Sequence, residues 1–263
     1  MRSIFRASLF LYTWLALILA AKPALNAQDA DGTVVQTAAE QLMVMANQAR
    51  QENGAGPLHW DSALAAAALK HCKRMAAEGP ISHRYSGEPD VDARAGQAGA
   101  HFSVIEENVA VGQSAARIHD GWMNSPGHRT NLLSPDVDRV GIAVVASRGV
   151  LYAVADYSRG VESVSAREAE SKVAALVRRS GIAISSDTSL ARQACAMDSG
   201  MPREVTESPG FIMRWQDSQL DQLPKPLANK LASGQYHRAA IGSCPAQGVQ
   251  GTFTAYRFAV LLY

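Results

Sequence analysis

Apolar residues recur at helical spacing near the start of the chain: Val35, Ala38, Ala39, Leu42, Met45, Ala46 and Ala49. That period predicts an amphipathic helix over 34–52. Gly54 and Gly56-Pro57 stop it. Asp61 can cap a second helix whose buried face is Leu64, Ala68, His71, Cys72 and Met75, ended by Gly79-Pro80. Residues 80–103 are rich in Gly, Pro, Ser and Asp and read as loop. A third helix over about 114–124 carries Ile118 and Trp122 one turn apart. Two strands follow, Val140 to Val145 and Val150 to Tyr157, with Ser147-Arg148-Gly149 suited to a tight hairpin turn.

Beyond Gly160 the texture changes. Ser163 to Arg167 is a polar join, and Ala166 to Arg179 is helical by period. Asp187 can cap a helix running to Met197, and Phe211 to Trp215, Tyr236 to Ile241 and Thr252 to Leu262 read as strands. Residues 165–263 thus read as a small α+β domain of unknown type. Arg178 to Leu190 faintly echoes Arg50 to Leu64, since both end in Asp-x-x-Leu after a glycine-containing break. That is too little to define a repeat.

Composition changes the picture mainly at the N-terminus. Arg2 and Arg6 precede an apolar run from Leu9 to Ala21, and small residues follow to Ala27. That order reads as a secretory signal peptide over 1–27. The run is shorter than the roughly 20 residues a bilayer-crossing helix needs, so no membrane span is expected after cleavage. Retention of the segment as an anchor is the alternative. Cleavage leaves 22 basic and 24 acidic side chains, without the basic stripe that nucleic acid requires. Export permits disulfides. Cys195 and Cys244 both lie in the last third of the chain and can pair, leaving Cys72 as a buried thiol.

Three places can carry chemistry. In Ser125-Pro126-Gly127-His128, Pro126 cannot continue a helix and Gly127 allows a sharp turn, so His128 would be presented at a fixed angle. Such a histidine suits a ligand or acid–base role, or it simply bonds a loop. Glu106-Glu107-Asn108 precedes the apolar Val109 to Val111 and Gly112. A carboxylate there can enter a cavity wall, or the pair can be a solvated acidic patch, with one of the two at the surface either way. His83 follows a helix stop, and His71 lies on a helix core face as a structural residue. The spacings of His83, Glu107 and His128, 24 and 21 residues, match no local metal motif. His-Glu-x-x-His, Gly-x-Ser-x-Gly and a phosphate-binding glycine loop are missing from the sequence.

In order, Asn47-Gln48-Ala49-Arg50, Leu58 to Leu64, the helix Ala67 to Met75, His83, Arg94, Glu107-Asn108-Val109-Ala110-x-Gly112, Trp122 to Asn131, Val140-Gly141-Ile142 and Tyr152 to Tyr157 form a set. That set resembles the bacterial branch of the CAP superfamily, the cysteine-rich secretory, antigen 5 and pathogenesis-related 1 proteins. It spans residues 36–160 and says nothing of 165–263. The resemblance implies an α+β fold, a three-layer α-β-α sandwich with a central cleft lined by two histidines and two glutamates. His83, His128 and Glu107 take three of those places, with Asn108, Trp122, Gly127 and Asn131 as motif residues. The fourth place, shortly after the helix tryptophan, holds Asn124-Ser125. Some members bind zinc, so His83 and His128, with Glu107, are candidate ligands. The reading this supports is a secreted binding protein for a metal ion, lipid, peptide or other small molecule, leaning away from an enzyme. The alternatives are a metal-assisted hydrolase with Glu107 as catalytic base, and an envelope-interaction protein acting through 165–263.

Overall fold

The computed structural model describes residues 32–202, 207–248 and 252–263; the signal-peptide reading of 1–27 falls outside them. The first half follows the hydrophobic pattern closely. β1 (Thr33–Val34) leads into α1 (Gln36–Glu52), β2 (His59–Trp60) and α2 (Ser62–Glu78). Asp61 caps α2, its Oδ1 accepting the amides of Ala63 at 2.8 Å and Leu64 at 3.0 Å. The segment expected to be loop carries a short helix, α3 (Val91–Gln97), and the start of an eleven-residue strand, β3 (Phe102–Gly112). The strand escaped notice because its centre, Glu106-Glu107-Asn108, is polar on both faces.

α4 (Ala115–Asn124) is followed at once by α5 (Pro126–Leu133). Pro126 starts α5, because a proline costs nothing at the first turn, where the amide has no helical partner. The expected sharp turn at Gly127 is therefore absent. Gly127 lies inside α5, and a Cβ there would meet nothing within 4 Å. β4 (Arg139–Ser147) and β5 (Val150–Gly160) form the hairpin, with Arg148 (φ 52°) and Gly149 (φ 76°) both left-handed, as a two-residue turn of matching twist demands.

These strands make one sheet in the order β1-β4-β5-β3, with β2 parallel to β4. Side chains alternate across it. Val140, Ile142, Val144, Ala153, Ala155 and Tyr157 pack against α1, α4 and α5. Val109, Ala143, Val145, Tyr152 and Val154 pack against α2. The result is the three-layer α-β-α sandwich. Arg50, almost fully buried, ties the end of α1 to the Gly56 carbonyl in the loop that follows it and to the carbonyls of Leu132, Ser134 and Val137 at and beyond the end of α5.

The remainder builds a second sheet from α6 (Ala166–Arg178), β6 (Ala183–Ile184), α7 (Ser189–Ala196), β7 (Phe211–Asp217), α8 (Lys225–Ala232), β8 (Arg238–Cys244) and β9 (Tyr256–Leu262), in strand order β6-β8-β9-β7. Helix α8 falls in a stretch to which the sequence pattern assigned no element, and Pro226 sits in its first turn. Cys195 and Cys244 form a disulfide, and Cys72 is a free, buried thiol. The two sheets meet where Phe102 pairs with Phe253, their rings edge to face at 5.1 Å. There the Phe102 carbonyl accepts the Thr254 amide at 2.8 Å, and Thr252 presses on Gly96 of α3, leaving no room for a Cβ.

Candidate functional site

The site is built on the α2 side of β3. Glu107 is only 4% exposed at its side chain. Its Oε1 accepts from His83 Nδ1 at 2.8 Å, and its Oε2 accepts from the Nη2 of Arg94, which projects from α3 and is 3% exposed. Arg94 Nη1 also donates to the carbonyls of His83 (3.1 Å) and Pro89 (3.0 Å). One guanidinium therefore holds the His83 backbone while the carboxylate it neutralises holds the His83 ring. The His83 side chain itself is 60% exposed, and among the described residues Nε2 has no protein partner. The hydrogen bond to Glu107 raises the His83 pKa, against the opposing effect of burial.

The loop carrying His83 is clamped from beneath. His71 Nδ1 faces Glu88 Oε1 and its Nε2 faces the Ser82 carbonyl, each at 2.8 Å, so both ring nitrogens meet acceptors. Glu88 Oε2 takes the Tyr85 amide at 3.0 Å. His71 is the structural residue its place on the helix core face predicts.

On the other face of β3, two asparagines pin α5. Asn108 donates to the His128 carbonyl at 2.9 Å, and Asn131 donates to the Glu107 carbonyl (3.2 Å) and to Asn108 Oδ1 (3.1 Å). Trp122 is buried with its indole N–H on the Val109 carbonyl at 3.3 Å. These contacts set His128 in the first turn of α5. Partial burial, with His83 adding a smaller effect, lowers the His128 pKa and keeps its imidazole neutral near pH 7. Glu106, adjacent in sequence, points to the α1 side and does not join Glu107. Burial first, and Asp136 second, raise its pKa.

Sequence reading missed two members. Arg94 was noted for its place in the motif set but not for pairing with Glu107. Asp156 lies directly opposite Glu107 on β5, fully buried, with neither oxygen bonded to any donor among the described residues. Burial, then the Glu107 charge, push the Asp156 carboxyl well above the usual range. A lone aspartate inside Val154-Ala155-Asp156-Tyr157 was the available signal, since an acid in a buried strand needs a reason.

This donor set does not suit a divalent ion. Both Glu107 oxygens are engaged, one by a cation, and among the described residues no three of His, Cys, Asp or Glu stand together to hold a metal.

A histidine and an arginine converge on one buried strand carboxylate within the α-β-α sandwich. Residues 45–157 match the model of the cysteine-rich secretory protein family, CAP, and form a CAP domain. The chain is 30% identical over 115 residues to the uncharacterized membrane protein YlbC of Bacillus subtilis, covering 42% of this chain and 32% of that one. It is 27% identical over 112 residues to the uncharacterized protein YkwD of the same organism, covering 42% and 44%. It therefore spans less than half the length of either relative. Among solved structures, an extracellular SCP-domain protein of Bacillus anthracis is similar at TM-score 0.43 and 25% identity, over 47% of this chain and 40% of that one.

Proposed function

We propose that this CAP-domain protein is exported and acts as a non-enzymatic binding protein, using the surface around His83 and His128 to hold a polar or peptide-like ligand. The observation that carries this is the state of Glu107. Its oxygens are spent on His83 and Arg94, so it is a positioning residue and not a free base or metal ligand. What faces solvent is the Nε2 edge of His83, oriented by a carboxylate, and the charge of His83 is felt at the half-buried imidazole of His128. An oriented donor next to a neutral donor–acceptor suits carbonyl and carboxylate groups. The Arg-apolar-small order of residues 1–27 and the Cys195–Cys244 disulfide support export into an oxidising compartment. No described helix is long and apolar enough to cross a membrane.

The test is to purify the exported protein and its His83→Ala/His128→Ala variant, and to compare bound small molecules by native and denaturing mass spectrometry. A polar ligand held by the wild type and lost from the variant is expected. An empty wild type, or cleavage of a peptide library that Glu107→Gln abolishes, would overturn the reading.

A further inference from the structure

We infer that residues 166–262 are a second, reduced copy of the fold formed by residues 36–160, in which the carboxylate row of the site has been replaced by an arginine. This stands independently of the proposed function.

Apart from β1 and α3, which have no counterpart in the second unit, the connectivity is the same. α1, β2, α2, β3, the α4–α5 pair, β4 and β5 correspond in order to α6, β6, α7, β7, α8, β8 and β9. In each unit the short second element pairs parallel to the penultimate strand (β2 with β4, β6 with β8). The last strand lies antiparallel between the other two long strands, giving β4-β5-β3 and β8-β9-β7. The layers agree as well. α6 and α8 pack on one face with Ile241, Phe258 and Val260, as α1, α4 and α5 do in the first unit. α7 packs on the other face with Ala240, Ala259 and Leu261, as α2 does.

A shared close approach fixes the residue correspondence. A Cβ on Gly141 of β4 would lie 2.0 Å from the amide nitrogen of Ala65, the fourth residue of α2. On Gly242 of β8 it would lie 2.2 Å from the amide nitrogen of Arg192, the fourth residue of α7. Only glycine lets strand and helix backbone come so near. Counting from these anchors, Cys195 and Cys244 fall on Ala68 and Ala143, two members of the α2-side core. α7 has 8 residues where α2 has 17, so the disulfide staples a helix that buries far less apolar area. The Asp-x-x-Leu echo is one residue out of step. Asp61 is the cap itself, whereas Asp187 precedes the cap residue Thr188, yet each carboxylate takes first-turn amides.

The same count reads out the site. Gly141 pairs with Asp156, which pairs with Glu107. Gly242 pairs with Ala259, which pairs with Arg214. Where the first unit holds two carboxyl groups, the second holds a methyl and a guanidinium. Arg214 is spent on the carbonyls of Ala194 and Gly200, both at 2.6 Å. The His–Glu chemistry of the first unit is therefore not duplicated.

The experiment is hydrogen exchange on the full chain carrying Gly141→Ala or Gly242→Ala. Gly242→Ala is expected to speed amide exchange in α7 and β8 by about tenfold or more while α2 and β4 keep wild-type protection, and Gly141→Ala to do the converse. Wild-type protection of α7 in Gly242→Ala would overturn the correspondence. Should either variant fail to fold, a crystal structure of the wild-type chain decides. Overlay of Gly242 on Gly141 should bring Arg214 onto Glu107 and the two cysteines onto Ala68 and Ala143, and a β6 that does not pair with β8 would end the proposal.

Discussion

Glu107 and Asp156 face each other across adjacent strands, on one side of the sheet, both buried, with the Arg94 guanidinium paired to Glu107. Two ionised carboxylates at such a place would repel in a poorly screened interior. Burial and the neighbouring Glu107 charge both favour the protonated form of Asp156.

This has a pH signature. The folded-state pKa of Asp156 is raised, whereas in the unfolded chain it titrates near 4. Below that value both states are neutral and nothing is lost. As pH rises above it, the unfolded chain gives up its proton and the folded chain does not, so stability falls. Asp156→Asn removes this loss. Urea unfolding should find the variant more stable than wild type at pH 7, with the gap closing near pH 3. Parallel stability curves for the two proteins would show that Asp156 is ionised.

The His83 ring should titrate above, and the His128 ring below, an ordinary histidine, as followed by their proton NMR signals. In Glu107→Gln the His83 midpoint should fall, because the main cause of its elevation is gone. The stability that His83 draws from Glu107 is present below about pH 6.5 and is lost as pH rises through the higher folded value. An unchanged His83 midpoint in Glu107→Gln would break the link between the two residues.

Arg94→Ala strips the buried Glu107 of its cation and frees the His83 and Pro89 carbonyls. A loss of about 3–5 kcal/mol is expected from breaking a buried pair on one side. Arg94→Lys should recover only part of it, since an ammonium cannot span the three acceptors that the guanidinium fork reaches. Equal stability of the lysine variant and wild type in chemical denaturation would count against this geometry.

Cys72 is buried, donates to the Tyr152 carbonyl at 3.1 Å, and has its thiol pushed up to about 12 by burial. A thiol reagent at pH 8 should modify it only at the rate of unfolding. Fast labelling of the native protein would place the thiol nearer the surface.

Replacing Cys195 and Cys244 together by alanine should lower the stability of the second unit by roughly 3–4 kcal/mol for a loop of this length. The first unit should be unaffected. A calorimetric scan showing both units destabilised alike would mean that they unfold as one.

The amphipathic helices and the β4–β5 hairpin were legible in the sequence because each carries one strong period or one glycine at a turn. The Asp61 cap and the cysteine pairing were legible for the same kind of local reason. β3 was not, because its central residues serve two different faces, Glu107 one and Glu106 and Asn108 the other, so no alternation of polar and apolar survives. α5 was hidden by reading Pro126 as a stop rather than a start. Arg94 and Asp156 are silent in one dimension, since only strand register and helix placement bring residues 94, 107 and 156 to one point. The doubling of the fold left almost no sequence trace. What was preserved is backbone proximity at two glycines, and backbone proximity constrains only one residue type in a strand of seven or nine.

Thr252 and Phe253 lie over Gly96 and Phe102, at the two ends of the segment joining α3 to β3. α3 is the element that aims Arg94 at Glu107, so the floor of the polar surface is also a seam between the two units. A chain cut after Gly160 would open that seam to water at Phe102. It would also bare the Thr252 contact on α3, the helix whose Arg94 holds both Glu107 and the His83 carbonyl.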